Sequence, residues 1–159
     1  MAIVPQQQGL PFVVEPVSSQ QVQLWATYAG QVSTEEGFSL VSNVFHAFWW
    51  QAAAYDCYQS ASGLLGFDVS SVVFYLDMIV NELRNAMEFW ANVVSLMDGY
   101  QALRLSSGQW IEDAMQQVQR ALDLRQAVAG QVAIWCDTYQ IALPESTQAL
   151  FAEMQSKGF

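Results

Sequence analysis

From Val69 to Met97 the apolar side chains follow a four-three rhythm. Val69, Val73, Leu76, Val80, Leu83, Met87, Trp90, Val94 and Met97 share one helical stripe. The seam spans about four heptads, which predicts a helix of ~30 residues and ~45 Å. The rhythm returns with Ile111, Met115, Val118, Leu122, Arg125, Ala129, Val132, Cys136 and Tyr139. That predicts a second long helix, capped at Ser106 or Ser107 and ended by Pro144. Two long seams joined by a short Gly99 to Gly108 connection imply antiparallel neighbours.

A helix of medium length is expected before these two. Ser33-Thr34-Glu35-Glu36 offers a capping box, and the helix should run to about Ser60. Phe38, Val41, Phe45, Phe48, Ala52 and Tyr55 mark one side. Leu40, Val44, Ala47, Trp49 and Trp50 mark another. A helix apolar on nearly every side is expected to be buried. A short helix from Ser18 or Ser19 to about Gly30 precedes it, with Val22, Trp25, Ala29 and Val32 on one face. Another, about Glu145 to Gln155, follows Pro144. Residues 1–17 carry Pro5, Pro11 and Pro16 and predict an extended arm, whose Leu10, Phe12, Val13 and Val14 are suited to docking. The fold class expected is all-α: one antiparallel helical-bundle domain over 18–159, with two long helices, one medium helix and short flanking helices, behind an extended arm.

Composition adds a surface problem to this picture. Only 13% of residues are charged against 53% hydrophobic, where a soluble domain carries about 25% charged. Either Gln, Ser and Asn cover the surface or part of it meets a partner. Net charge is -10, and the first Lys or Arg is Arg84. Phosphate binding needs clustered cations, so nucleic acid is not an expected partner. An anionic membrane would repel the chain. The stretch Gly37 to Tyr55 is long enough to span a bilayer but contains Ser39, Ser42, Asn43, His46 and Gln51. No basic, apolar leader is visible at the N-terminus. A cytoplasmic or virion-associated setting is expected.

Little points to catalysis. His46 is the single histidine, so the paired Glu-x-x-His of a bundle di-iron site is absent. A haem or metal role for His46 is the alternative to a buried, hydrogen-bonded core or interface histidine, which is the reading favoured here. Two cysteines and one histidine fall short of a zinc set. Cys57 and Cys136 read as free thiols, with a single bridge left open. Arg125 occupies a seam position that asks for an apolar side chain. Its stem can lie along the groove with the head at water; a buried pair fixing register is the alternative. No nucleophile elbow or phosphate loop is present. No catalytic residue, cofactor or metal is expected.

Two stretches resemble known families. Gln23 to Trp50, Leu83-Arg84-Asn85 and Leu122 to Val128 are similar in order and length to coat proteins of rod-shaped plant viruses, four-helix bundles that stack along RNA. The chain departs from them in lacking basic residues other than Arg84 across the first two blocks. Asn81 to Gly99 with Ala133 to Met154 resembles the later helices of Bcl-2-type regulators, but reads Phe89-Trp90-Ala91-Asn92 where those carry Trp-Gly-Arg. Neither amounts to membership. The expectation is a non-enzymatic structural or interaction protein that associates with itself, as a filament, shell or coat-type subunit does. A binding module for a partner helix or an apolar small molecule is the alternative. The expected association face comprises Phe12, Val13, Trp49, Trp50, Phe74, Met78, Phe89 and Leu96, with Arg125 and His46 as buried polar register residues.

Overall fold

The structure is a computed structural model that describes residues 19–100 and 108–156. Five helices follow in order: α1 Ser19–Ala29, α2 Thr34–Leu64, α3 Val69–Gly99, α4 Gln109–Thr138 and α5 Glu145–Ser156. The fold is an all-α helical bundle. The arm with Leu10, Phe12 and Val13, and the capping candidates Ser106 and Ser107, lie outside the described residues.

Local chemistry starts these helices where the sequence suggests. Ser33 caps α2: its Oγ accepts from Glu36 N at 3.2 Å, and Glu36 Oε1 accepts from Ser33 N at 3.2 Å. Asp68 caps α3, accepting from Ser71 N at 3.1 Å and Ser71 Oγ at 2.7 Å. Those two bonds hold its carboxyl below the usual range. Gly66 turns the chain between them at φ +82°, a conformation that favours glycine.

Two boundaries differ from expectation. α2 continues past Ser60 to Leu64, so it matches α3 at 31 residues. α4 ends at Thr138, six positions before Pro144. A Schellman-type closure stops it: Gln140 takes φ 56°, and Ile141 N donates to Cys136 O at 2.9 Å.

α3 is the central rod, packed most extensively on α2 and then on α4. The interior falls into two clusters along the rods. One joins the second half of α2, the first half of α3, the second half of α4, and α5. Its centre includes Tyr58, Leu76, Ile79, Leu83 and Trp135. The other joins α1, the first half of α2, the second half of α3 and the first half of α4, around Trp25, Val44, Trp90 and Met97. They meet where α2 passes from Ala47 to Ala54, α3 from Leu83 to Met87 and α4 from Ala121 to Leu124.

The buried stripes are rotated relative to the predicted seams. On α3, Val72, Leu76, Ile79, Leu83, Ala86, Trp90, Val93 and Met97 form the central line, and Val69 is exposed. On α4, Trp110, Ala114, Val118, Ala121, Val128, Val132 and Trp135 face inward, and Met115 is exposed. The alanines explain the shift. They weigh little as hydrophobes, yet small side chains bring helix axes closer and so decide which face turns inward. The largest departure is α2. It is not buried all round, because Phe38, Phe45 and Trp49 reach solvent.

Candidate interaction face on helix α2

Phe38, Phe45 and Trp49 stand seven and four positions apart, on one side of the first half of α2. Their exposures are 75%, 42% and 60%. The opposite side, with Leu40, Val44 and Ala47, is sealed in the core. Two neighbours border the exposed stripe. α1 closes against Gly37, where an added Cβ would come 2.7 Å from Ala29 O. α3 lies along the other border, where Asn92 Nδ2 donates to Asn43 Oδ1 at 3.2 Å. Trp50 turns toward this border and meets Trp49 edge to face at 4.8 Å.

Within the stripe, Phe45, His46 and Trp49 line an open cleft of about 360 Å³. His46 is exposed, which corrects the expectation of a buried register residue. Its ring stacks on Phe89 of α3, with centroids 4.9 Å apart and planes at 16°. Its Nδ1 lies 2.7 Å from Ser42 O. A carbonyl oxygen only accepts, so Nδ1 carries the proton, and Nε2 is left as the acceptor of the neutral ring. The cleft therefore combines three aromatic faces with an acceptor on His46 and the Nε1–H donor of Trp49.

Other uncovered apolar side chains follow the C-terminal end of α2. Phe67 in the α2–α3 turn is 87% exposed, and Phe74 on α3 is 60% exposed beside Tyr75. Val69 joins them. Of the remaining residues expected on an association face, Met78 packs against the first cluster, and Phe89 and Leu96 against the second, all half-buried. Trp49 and Phe74 are thus uncovered, Trp50 is half-buried against Trp49, and Met78, Phe89 and Leu96 help close the interior. Phe38 and Phe45 stand in the sequence as one apolar side of α2 expected to be buried, and Phe67 carries no sequence expectation. The signal at Phe38 and Phe45 was aromatic side chains opposite an already complete apolar stripe.

Buried polar groups gather near the junction of the two cores. Trp90 Nε1 donates to Gln51 Oε1 at 2.9 Å. Glu82 is 8% exposed and its Oε1 has no hydrogen-bond partner. Burial raises its pKa, and Asp56 adds to the rise against an opposing hydrogen bond from Cys57. The Cys57 thiol is pushed up to about 12, by burial first and then by its bond to Glu82. Position 82 lies three after Ile79 and four before Ala86, on the inward side of α3, a placement the singly spread acids had concealed. Arg125 is also 8% exposed, with Nε unpartnered. Burial lowers its pKa, Glu153 of α5 counters that, and Arg84 of α3 adds to it. Its charged neighbours, Arg84 and Glu153, lie on α3 and α5. Two polar ties hold the short helices. Tyr28 of α1 donates to Asp113 of α4, and burial followed by that bond raises the Tyr28 pKa. Thr147 Oγ1 of α5 donates to Asp77 Oδ1 of α3 at 2.8 Å.

Cys57 and Cys136 are free thiols. Among the described residues, no group of three or more His, Cys, Asp or Glu side chains is placed to hold a metal ion. No described helix is long and apolar enough to cross a membrane. The chain matches no family model, no curated protein and no solved structure.

Proposed function

We propose that this chain is a non-enzymatic interaction protein that offers the outer face of α2 to another helical protein. The observation carrying this reading is the Phe45–His46–Trp49 cleft inside a stripe of exposed aromatic side chains. Exposed aromatic rings are costly to leave in water, and aromatic residues concentrate in interface cores. A stripe at helical spacing is the shape that an amphipathic partner helix fits. The neutral dye Nile red tests it. Folded protein should brighten the dye, and Phe45→Gln and Trp49→Gln should each remove most of the signal while helicity by circular dichroism stays unchanged. A folded chain that leaves the dye dark, or variants that keep the signal, would overturn the reading.

Self-association is the second reading, favoured by a separate observation: the exposure of Phe67, Val69 and Phe74 in the α2–α3 turn and the start of α3. A subunit with two separated apolar patches can join copies in series, as filaments and shells require. Sedimentation velocity at micromolar concentration should then show species above the monomer, reduced by Phe74→Ser. A sharp monomer peak would remove this second reading.

A further inference from the structure

We infer that the occupant of the α2 face is a cationic amphipathic helix, a segment whose apolar side is flanked by Lys or Arg. The inference rests on the reading that this face binds a protein helix, and adds the partner's charge.

Three observations converge on that chemistry. First, every formal charge on α1 and α2 is negative. α1 has none, and α2 has Glu35, Glu36 and Asp56 at the two ends of its uncharged stretch. Arg84, the first cation in the chain, is close to Arg125 of α4 and so belongs to the other side of α3. Among the described residues of α1 and α2, the charges framing the aromatic stripe are thus all anions. Second, the neutral His46 ring offers Nε2 as an acceptor beside the Nε1–H donor of Trp49, so a donor from the partner can be met there. Lys and Arg are donors without acceptors. Third, Trp49 presents an indole ring that is mostly uncovered, a surface over which a cation gains further attraction.

The same charges argue against the obvious competitor. A second copy pressed on this face through its own α2 face would set Glu35, Glu36 and Asp56 against the same acids, with no cation on α1 or α2 between them. Like charges facing each other across an interface oppose association. An acidic helix meets the same penalty. A basic helix neutralises the frame while its apolar side fills the cleft.

The test uses the full chain and three synthetic amphipathic helices sharing one Leu-rich apolar side. Their polar sides are Lys-rich, Gln-rich or Glu-rich. Titrations are followed by the fluorescence anisotropy of a dye on each peptide. The expected result is binding in the order Lys, Gln, Glu, with at least about tenfold between Lys and Gln. Binding of the Lys peptide should fall several-fold when salt rises to about 0.5 M. It should fall by about tenfold or more in Phe45→Gln and in Trp49→Gln. Equal binding of all three peptides would overturn the charge assignment and leave the helix-binding reading standing. Failure of all three would overturn both. Lys-peptide binding that ignores both substitutions would show attraction to the acidic surface at large and sink the proposal. Loss of a chain dimer in Trp49→Gln, seen by sedimentation velocity, would name a second copy as the occupant instead.

Discussion

At position 82 the packing of α3 on α2 encloses a carboxyl group, and its Oε1 finds no partner. Desolvation favours the neutral acid, so Glu82 keeps its proton to higher pH in the folded chain than in the unfolded one. The linkage follows from that sign. Below the unfolded value near 4.5 both states are protonated and the group costs nothing. As pH climbs through and beyond that value, the unfolded chain ionises first and stability falls until the folded group ionises too. Glu82→Gln keeps an acceptor for the Cys57 thiol and removes the charge. It should raise stability at neutral pH by about 1 kcal/mol. Urea unfolding from acid to neutral pH checks this. The difference between variant and parent should grow with pH and vanish in acid, and a constant difference would contradict the assignment. Arg125 is the mirror case, a buried cation with Glu153 and Arg84 as its charged neighbours. Its position stood out in sequence because it interrupted a seam. Glu82 did not, because a scattered acid on a helix ordinarily faces water.

Among the elements, α1 and α2 approach closely at Gly37. The backbone of Ala29 leaves no room for a side chain at position 37. Gly37→Ala gains about 1 kcal/mol of helix propensity, yet forces the two helices apart. The net effect should be a loss of about 1–2 kcal/mol by the usual cost of overpacking. Gly130, within α4, has nothing within 4 Å of an added Cβ. Gly130→Ala should therefore stabilise by about 0.5–1 kcal/mol. Opposite signs in thermal unfolding are the expected outcome. The start of α2 was legible because Ser33 with Glu36 is local, short-range chemistry. The class of fold was legible for a similar reason, since the four-three rhythm needs only one helix to be seen. The facing of each helix was not. Ala114, Ala121 and Ala86 sit in the interior because neighbouring rods approach closely there, and a single chain segment carries no record of its neighbour. The α2 face was half legible. Trp49 was noticed as aromatic excess, while the exposure of Phe38 and Phe45 depends on where α1 and α3 stop covering α2.

Across the whole molecule, the division into two clusters sets how it opens. α5 belongs to one and α1 to the other. Phe151 is buried in the α5 cluster, and Phe151→Ala should cost about 3–5 kcal/mol. Native-state hydrogen exchange should show α5 and the second half of α4 losing most protection, with α1 losing less. Equal losses in α1 and α5 would mean that the junction transmits disorder freely and the bundle opens as one unit. Partner binding at the first half of α2 falls within the α1 cluster, so a bound helix should slow exchange there first.

The bond between Cys57 and Glu82 also has a bearing on reactivity. Alkylating reagents and peroxides attack the thiolate, and a group pushed up to about 12 leaves roughly one molecule in a hundred thousand ionised near pH 7. Cys57 is sealed while Cys136 is partly open, so maleimide should mark the folded chain once, at Cys136. A covalently crosslinked pair of chains would form through that same sulfur.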